Sequence, residues 1–470
     1  MIAALLLLAC SSNPPTTAEE PQGSPAEATA EATAPEASPA APLAEAPEVE
    51  WDGSTGDVVL VIVDTLRYDA LGRGGNQRPA SPAIDAFAEE NLWFTRAYSP
   101  GTWTLPSTAS IFTGLSPFQH KAVHDAREPY KFGRLEAHHV TTAEAFKERG
   151  FRTAGFINNS YLAPEFGLNQ GFDVYDFEGP GLIDHRTGLT TVELALEWLA
   201  SSEEPAFVTV HMMEPHADYQ PPEGIAGTFG RGMPHTLNVP LGGEVVESMI
   251  ANRFIPEPDD QAFIKALYDE EVLTADGAVG RLIEGLKAMD DYSDMTVIFV
   301  SDHGEEFWEH GEYEHGHTTR KEVTHVPLIV KAPWAGNGEN NTVVSIAAVH
   351  EALLGGGVIR EVAEAREHRM GEMVIIEDLL YGTQEISVVS DALRFTFDQA
   401  NEVVSLVELS PAGEELRDIS MDASRRAEAE PLFNAIMEAR GDMAPLIAAD
   451  PVEVRTSSVF EQLRALGYVQ

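Results

Sequence analysis

Residues 57–64 read DVVLVIVD. An unbroken apolar, mostly β-branched run closed by an aspartate describes a strand buried on both faces, as in a parallel sheet. AFVTVHMM (206–213) and MTVIFVSD (295–302) have the same form, and VPLIVKA (326–332) is a fourth candidate. Helical patterns lie between them. TTAEAFKERG (141–150) opens on a threonine cap and ends at a glycine. In EEVLTADGAVGRLIEGLKAM (270–289), Val272, Ala275, Val279, Leu282, Ile283 and Leu286 share one face. Strands alternating with helices predict an α/β fold, a mostly parallel central sheet flanked by helices. Ligands of such sheets bind beyond the carboxyl ends of the strands. Asp64, His211 and the pair Asp302–His303 emerge there.

The densest chemistry follows the third strand. SDHGEEFWEHGEYEHGH (301–317) gathers Asp302, His303, His310, His315 and His317 beside several carboxylates. Asp302 and His303 leave the core with little slack, so both can face one ion. Mixed carboxylate and imidazole ligation suits Zn, Mn, Ca or Mg, decided by geometry. The bland alternative is a solvated polar loop, and His310 and His315 individually read as loop residues. Asp64 is costly to bury unless it is paired or holds a metal; Arg67, three residues on, is its candidate partner. His216, in HMMEPHADY, stands alone after a strand, where histidines are more often structural than catalytic. GTWTLPSTASIFTG (101–114) is rich in hydroxyls. It reads as a loop entering a helix, with Thr104 or Ser107 as a cap, and a helix start also favours an anion.

Acidic residues outnumber basic ones 76 to 30, a net charge of −46, which excludes nucleic acid as a partner. A solvated acidic surface accounts for the excess. Cys10, the only cysteine, closes MIAALLLLAC. The run is too short to span a bilayer and reads as a lipoprotein signal in which Cys10 is the lipidation site. The expected location is the bacterial cell envelope, exported and lipid-anchored in the periplasm or on the outer membrane. Once Cys10 is acylated, disulfides and cysteine nucleophiles are excluded. Residues 11–50, almost wholly Pro, Ala, Glu, Thr and Ser, read as a disordered tether. The expected domains are then a signal at 1–10, a tether at 11–50, a catalytic domain at 51–335 and a smaller C-terminal part at 336–470. In that last part MVIIED (373–378), ISVVS (386–390), LRFTFD (393–398) and VVSLVEL (403–409) read as short strands, and 422–440 as an acidic helix.

VVLVIVDTLRYDALG, RPASPAIDAFAEENLWFTRAYSPGTWTLPSTASIFTGLSPFQH, FKERGFRTAGFINNSYLAPEFGLNQGFDVYDF, FVTVHMMEPHADYQPP, MTVIFVSDHGEEFWEHG and EVTHVPLIV stand in that order. Together they resemble the sulfatase family of the alkaline phosphatase superfamily, strongly over residues 55–335. The closing LRALGYV is similar to bacterial members. The resemblance implies an alkaline-phosphatase-like fold and a divalent metal ion held by Asp64, Asp302, His303 and the Thr104 hydroxyl. It places Thr104 at the nucleophile, with Ser107 and Thr108 beside the substrate. His216 matches a histidine that contacts the transferred group, and His317 falls near a position where many sulfatases use lysine; either is then a candidate general acid for the leaving alcohol.

The sequence also departs from that pattern. Sulfatases convert a cysteine or serine at the Thr104 position to formylglycine, an aldehyde that threonine cannot give because its β-carbon carries a methyl group. Thr108 replaces an arginine. Thr65 follows Asp64 where a second aspartate often stands, so that Thr65 or water fills the place. The expected function is hydrolysis of sulfuric or phosphoric esters, of small molecules or glycans, by a plain metal-activated Thr104. Its competitors are an envelope phosphotransferase and a catalytically dead member that binds sulfated glycans.

Overall fold

The 57–64 run forms strand β1 (Val58–Val63), buried throughout. The computed structural model describes residues 56–125, 131–178, 186–241, 243–365, 373–381, 384–399, 401–441, 446–448 and 451–453. Cys10, the 11–50 tether, Trp51 and the closing LRALGYV lie outside the described residues. The other strands of the main sheet are β2 (Leu92–Tyr98), β3 (Arg152–Ile157), β4 (Val174–Phe177), β5 (Ala206–Met212), β6 (Thr296–Ser301), β7 (His325–Lys331), β8 (Gly338–Asn340) and β9 (Val344–Ser345). Their spatial order is β8-β2-β7-β6-β1-β5-β3-β4, with β9 also on β2. All pairings are parallel except those of β7 with β2 and β6. The sheet thus runs past residue 335, because β8 and β9 both join it.

Alternation along β1 decides what each face packs against. Leu60 and Ile62 face the helices Thr104–Thr113, Thr142–Glu148 and Ala348–Leu354 through Leu105, Phe112, Phe146 and Val349. Val59, Val61 and Val63 face the helices Pro82–Glu90, Gly188–Leu199 and Pro258–Lys287 through Phe87, Leu196, Val272 and Leu282. Burying each such side chain stabilises the fold by about 1.5–3 kcal/mol, so both faces demand apolar residues and the pattern loses its period of two. Pro258–Lys287 starts twelve residues before the periodic stretch at 270, with Pro258 at its first turn and Asp259 and Asp260 beside it. Both features favour a helix start.

The four expected C-terminal strands, Val374–Ile376, Glu385–Val389, Leu393–Asp398 and Val403–Leu409, form an antiparallel meander, to which Glu415–Asp418 adds a fifth strand. Helix Ala429–Arg440 packs on it through Leu432, Phe433 and Ile436. That helix begins at 429 rather than 422: the hydroxyl and backbone N–H of Ser424 both bond the Asp422 carboxylate, which holds a turn there. The meander also reaches the main domain. Asp378 accepts bonds from Trp103 Nε1 at 2.8 Å and, on its carbonyl, from Thr102 Oγ1 at 2.7 Å. The Glu377 N–H donates to the carbonyl of Pro100.

Candidate active site and metal centre

Register builds the site. Val63 lies opposite Met212 on β5 and Ser301 on β6, so Asp64, Met213 and Asp302 leave the sheet level with one another. On β3, Phe156 lies opposite Val210, which sets Asn159 level with Met213. Four adjacent strands therefore deliver Asp64, Asn159, His211 and Asp302–His303 to one spot. From above, Thr104 is the first residue of the 104–113 helix, whose cap is the extended Trp103 and not a hydroxyl side chain. Capping therefore leaves the Thr104 and Ser107 hydroxyls free for other bonds.

Asp64, Asp302 and His303 are wholly buried and can offer atoms to one ion. Each carboxylate has one oxygen tied down and one turned inward. Asp64 Oδ2 accepts from Asn159 Nδ2 at 2.6 Å, and Asp302 Oδ1 from the His303 N–H at 2.9 Å. Asp64 Oδ1 and Asp302 Oδ2 have no hydrogen-bond partner, and each lies 3.5 Å from His303 Nε2. His303 Nδ1 faces the Gly304 carbonyl at 3.0 Å, so the ring proton sits on Nδ1 and Nε2 presents a lone pair. Three acceptors facing one another are unfavourable alone and suit a cation, so the donor set fits a divalent metal. Burial pushes the Asp64 and Asp302 carboxyls up, against the bonds they accept, and pushes His303 down to about 3. Burial also takes His211 down to about 3; its Nε2 lies 3.5 Å from Asp64 Oδ2.

Thr104 Oγ1 stands at the rim of this cage, 3.3 Å from His303 Nε2 and 3.3 Å from Asn159 Nδ2. Asn159 is fixed in turn, its side chain accepting from the Tyr161 N–H at 2.8 Å. The sequence reading missed Asn159. Its signal was close to that of Asp64, a polar residue directly after a buried run, here TAGFI (153–157) followed by Asn158 and Asn159.

Arg67 does not pair with Asp64. It binds Asp69 and Glu309, each at 2.6 Å, on the other side of the loop. Thr65 Oγ1 is buried without a hydrogen-bond partner beside Asp64, on a backbone with φ 54°. Ser107 accepts from Ser99 Oγ at 3.0 Å, while Thr108 Oγ1 is buried and makes no hydrogen bond. His216 is buried, and its Nδ1 donates to the Ala217 carbonyl. His317 is held by Glu306 at 3.2 Å and Glu312 at 3.6 Å. His310 pairs with Glu322 at 3.2 Å. His315 lies in the bend after Tyr313–Glu314, as a loop residue, but it is buried rather than solvated, its ring centroid 4.4 Å from that of His303. A cleft of about 530 Å³ is lined by Tyr219, Pro221, Arg231, His235, Phe263 and Leu267. Tyr219 links it to the segment after His303, its hydroxyl donating to Glu305.

Residues 56–355 match the Sulfatase family model. The chain is 26% identical over 337 residues to human iduronate 2-sulfatase, covering 59% of this chain and 60% of that protein. It is 33% identical over 112 residues to an arylsulfatase of Clostridium perfringens, 24% of this chain and 22% of that one. The chain thus spans about three fifths of the length of the human relative. Among solved structures, a phosphonate monoester hydrolase of Agrobacterium radiobacter superposes with a TM-score of 0.64 at 17% identity, over 82% of this chain and 95% of that one. A 2-O GAG sulfatase superposes with a TM-score of 0.66 at 16% identity, over 83% and 93%. These likenesses identify an alkaline-phosphatase-like α/β fold.

Proposed function

The chain belongs to the sulfatase family, and on that premise we propose that it hydrolyses sulfuric or phosphoric esters with Thr104 itself as nucleophile. One observation carries the reading: Thr104 Oγ1 lies 3.3 Å from His303 Nε2, at the rim of a cage of inward-turned acceptors. Asp64, Asp302, His303 and the Thr104 hydroxyl would hold the metal ion. When bound, the ion neutralises charge on the transferred group and lowers the pKa of the hydroxyl.

The protein's own groups supply position. Asn159 Nδ2 orients Thr104 Oγ1 and anchors Asp64 Oδ2, so nucleophile and carboxylate move as one unit. The buried start of the helix excludes bulk water from Oγ1. Two displacements complete the cycle. Thr104 Oγ replaces the alcohol on sulfur or phosphorus, its proton leaving with that alcohol. Water then replaces Thr104, and the hydroxyl is restored. The methyl group on the Thr104 β-carbon supports an ester intermediate and is incompatible with formylglycine.

The substrate's remainder fits the 530 Å³ cleft, where Arg231 and His235 suit an anionic or polyhydroxyl group beside the apolar wall of Phe263 and Leu267. The short apolar run before Cys10 supports export and a lipid anchor. Side-by-side turnover of an aryl sulfate, an aryl phosphate and a phosphodiester after metal reconstitution tests the reading. Turnover of at least one, lost by about a thousandfold in Thr104→Ala, is expected. Full turnover in Thr104→Ala would refute it.

A further inference from the structure

A second group of potential ligands lies against the first. His216, Glu314 and His315 are all buried and can offer atoms to a single ion. Neither the family match nor the reading above assigns them a metal. Glu314 is the decisive member. Its carboxylate is wholly buried, and neither oxygen has a hydrogen-bond partner. Protonation would remove the charge but leave the oxygens unsatisfied, at a cost of about 1–3 kcal/mol. A cation satisfies both demands together. Glu314 is also placed deliberately: it closes a two-strand hairpin, opposite Glu306, on a left-handed backbone with φ 76°. A β-substituted residue adopts that conformation at a cost, and such strain clusters at functional sites.

The histidines complete the group. His216 Nδ1 donates to the Ala217 carbonyl, as His303 Nδ1 does to Gly304. An oxygen acceptor on one ring nitrogen is the usual outer support of a metal-ligating histidine. His315 Nδ1 lies 3.5 Å from Glu305 Oε1. The ring centroid of His315 is 5.1 Å from that of His216 and 4.4 Å from that of His303. The second group therefore adjoins the first through the rings of His315 and His303.

We propose that His216, Glu314 and His315 bind a second divalent cation of the zinc or manganese class, adjacent to the ion held by Asp64, Asp302 and His303. Two imidazoles and one carboxylate match the ligand preferences of those ions better than the all-oxygen shells of calcium or magnesium. The proposal deepens the reading of the same pocket as a metal centre and rests on it.

The test loads full-length protein with Mn2+ and measures ions per chain by elemental analysis, together with the electron paramagnetic resonance spectrum. Wild type is expected to hold two ions with an exchange-broadened spectrum. Glu314→Gln and, independently, His216→Gln are expected to hold one, with the hyperfine pattern of an isolated ion; thermal melting shows that each variant folds. Where neither variant folds, the wild-type stoichiometry and spectrum decide. One ion per wild-type chain, with metal-dependent ester turnover intact, overturns the second site and leaves the proposed function standing. Two ions in both folded variants overturn the assignment to these residues. A wild type that binds no ion and turns over no ester overturns both.

Discussion

Replacing Asn159 by leucine is the sharpest probe of how the site is held together. The side chains are similar in volume, but leucine lacks the Nδ2 donor. Three contacts disappear with it: one of 2.6 Å to the Asp64 carboxylate, one of 3.3 Å to Thr104 Oγ1 and a weak one of 3.7 Å to Met213 Sδ. The first is charge-assisted and worth about 1.5–3 kcal/mol. That is about 10- to 150-fold in an equilibrium constant. Without the bond, Asp64 Oδ2 loses its shortest donor, and the carboxylate is held less firmly. The Kd for Mn2+ should therefore rise by about 10- to 100-fold, the range seen when outer supports of metal ligands are removed. At saturating metal a second deficit should remain, because Thr104 has lost its orienting donor: a fall in kcat of about fivefold, for a neutral bond worth roughly 1 kcal/mol. The variant also loses the acceptor for the Tyr161 N–H. That loss appears in the free energy of unfolding and is separable from the binding isotherm. Isothermal titration with Mn2+ and ester turnover at saturating metal are the assays. Unchanged Kd and unchanged kcat in a folded Asn159→Leu protein would refute the reasoning.

Other expectations concern stability and location. Burial, with repulsion from Glu214 second, pushes the Glu271 carboxyl up to about 8. The folded state thus binds a proton that the unfolded state releases, so this group's contribution falls as pH rises from about 4.5 to about 8. Glu271→Gln should match wild type at about pH 4 and exceed it by roughly 3 kcal/mol at pH 7 in denaturant unfolding; a gap independent of pH would contradict this. Trp103→Phe removes the 2.8 Å donor to Asp378. It should cost about 1–3 kcal/mol and lower turnover, because Thr104 is the next residue; wild-type stability would count against the role given to Asp378. Cys10→Ser should move the protein from the membrane fraction to the soluble fraction on cell fractionation, and an unmoved variant would remove the lipid anchor from the reading.

The parts of the site that could be read from sequence share one cause. Asp64, Asp302 and His303 close apolar runs long enough to be strands, and the parallel sheet brings such ends together. Asn159 follows a run of the same kind, but TAGFI (153–157) is short and holds a glycine, and Asn158 intervenes, which dilutes the signal. Glu314 and His315 were illegible for another reason. Their hairpin consists of strands of two residues each, Glu306–Phe307 and Tyr313–Glu314, too short for any period to show. Burial of His315 follows from tertiary packing, which local composition does not carry. The register of β1 against β5 and β6, which sets the ligands level, was likewise invisible in a run that is apolar at every position.

The bonds from Glu377 and Asp378 to residues 100–103 bear on what counts as the working unit of this protein. The segment that matches the family ends at 355, whereas the residues that grip the backbone and indole just before Thr104 lie beyond it. A fragment trimmed to the matching segment would keep every proposed ligand and lose the brace behind the nucleophile. Substitutions in the C-terminal meander can accordingly retune Thr104 without altering any residue that touches substrate. Transplanting the 56–355 segment onto another C-terminal sheet would need a carboxylate at the place of Asp378 to carry the reactivity with it.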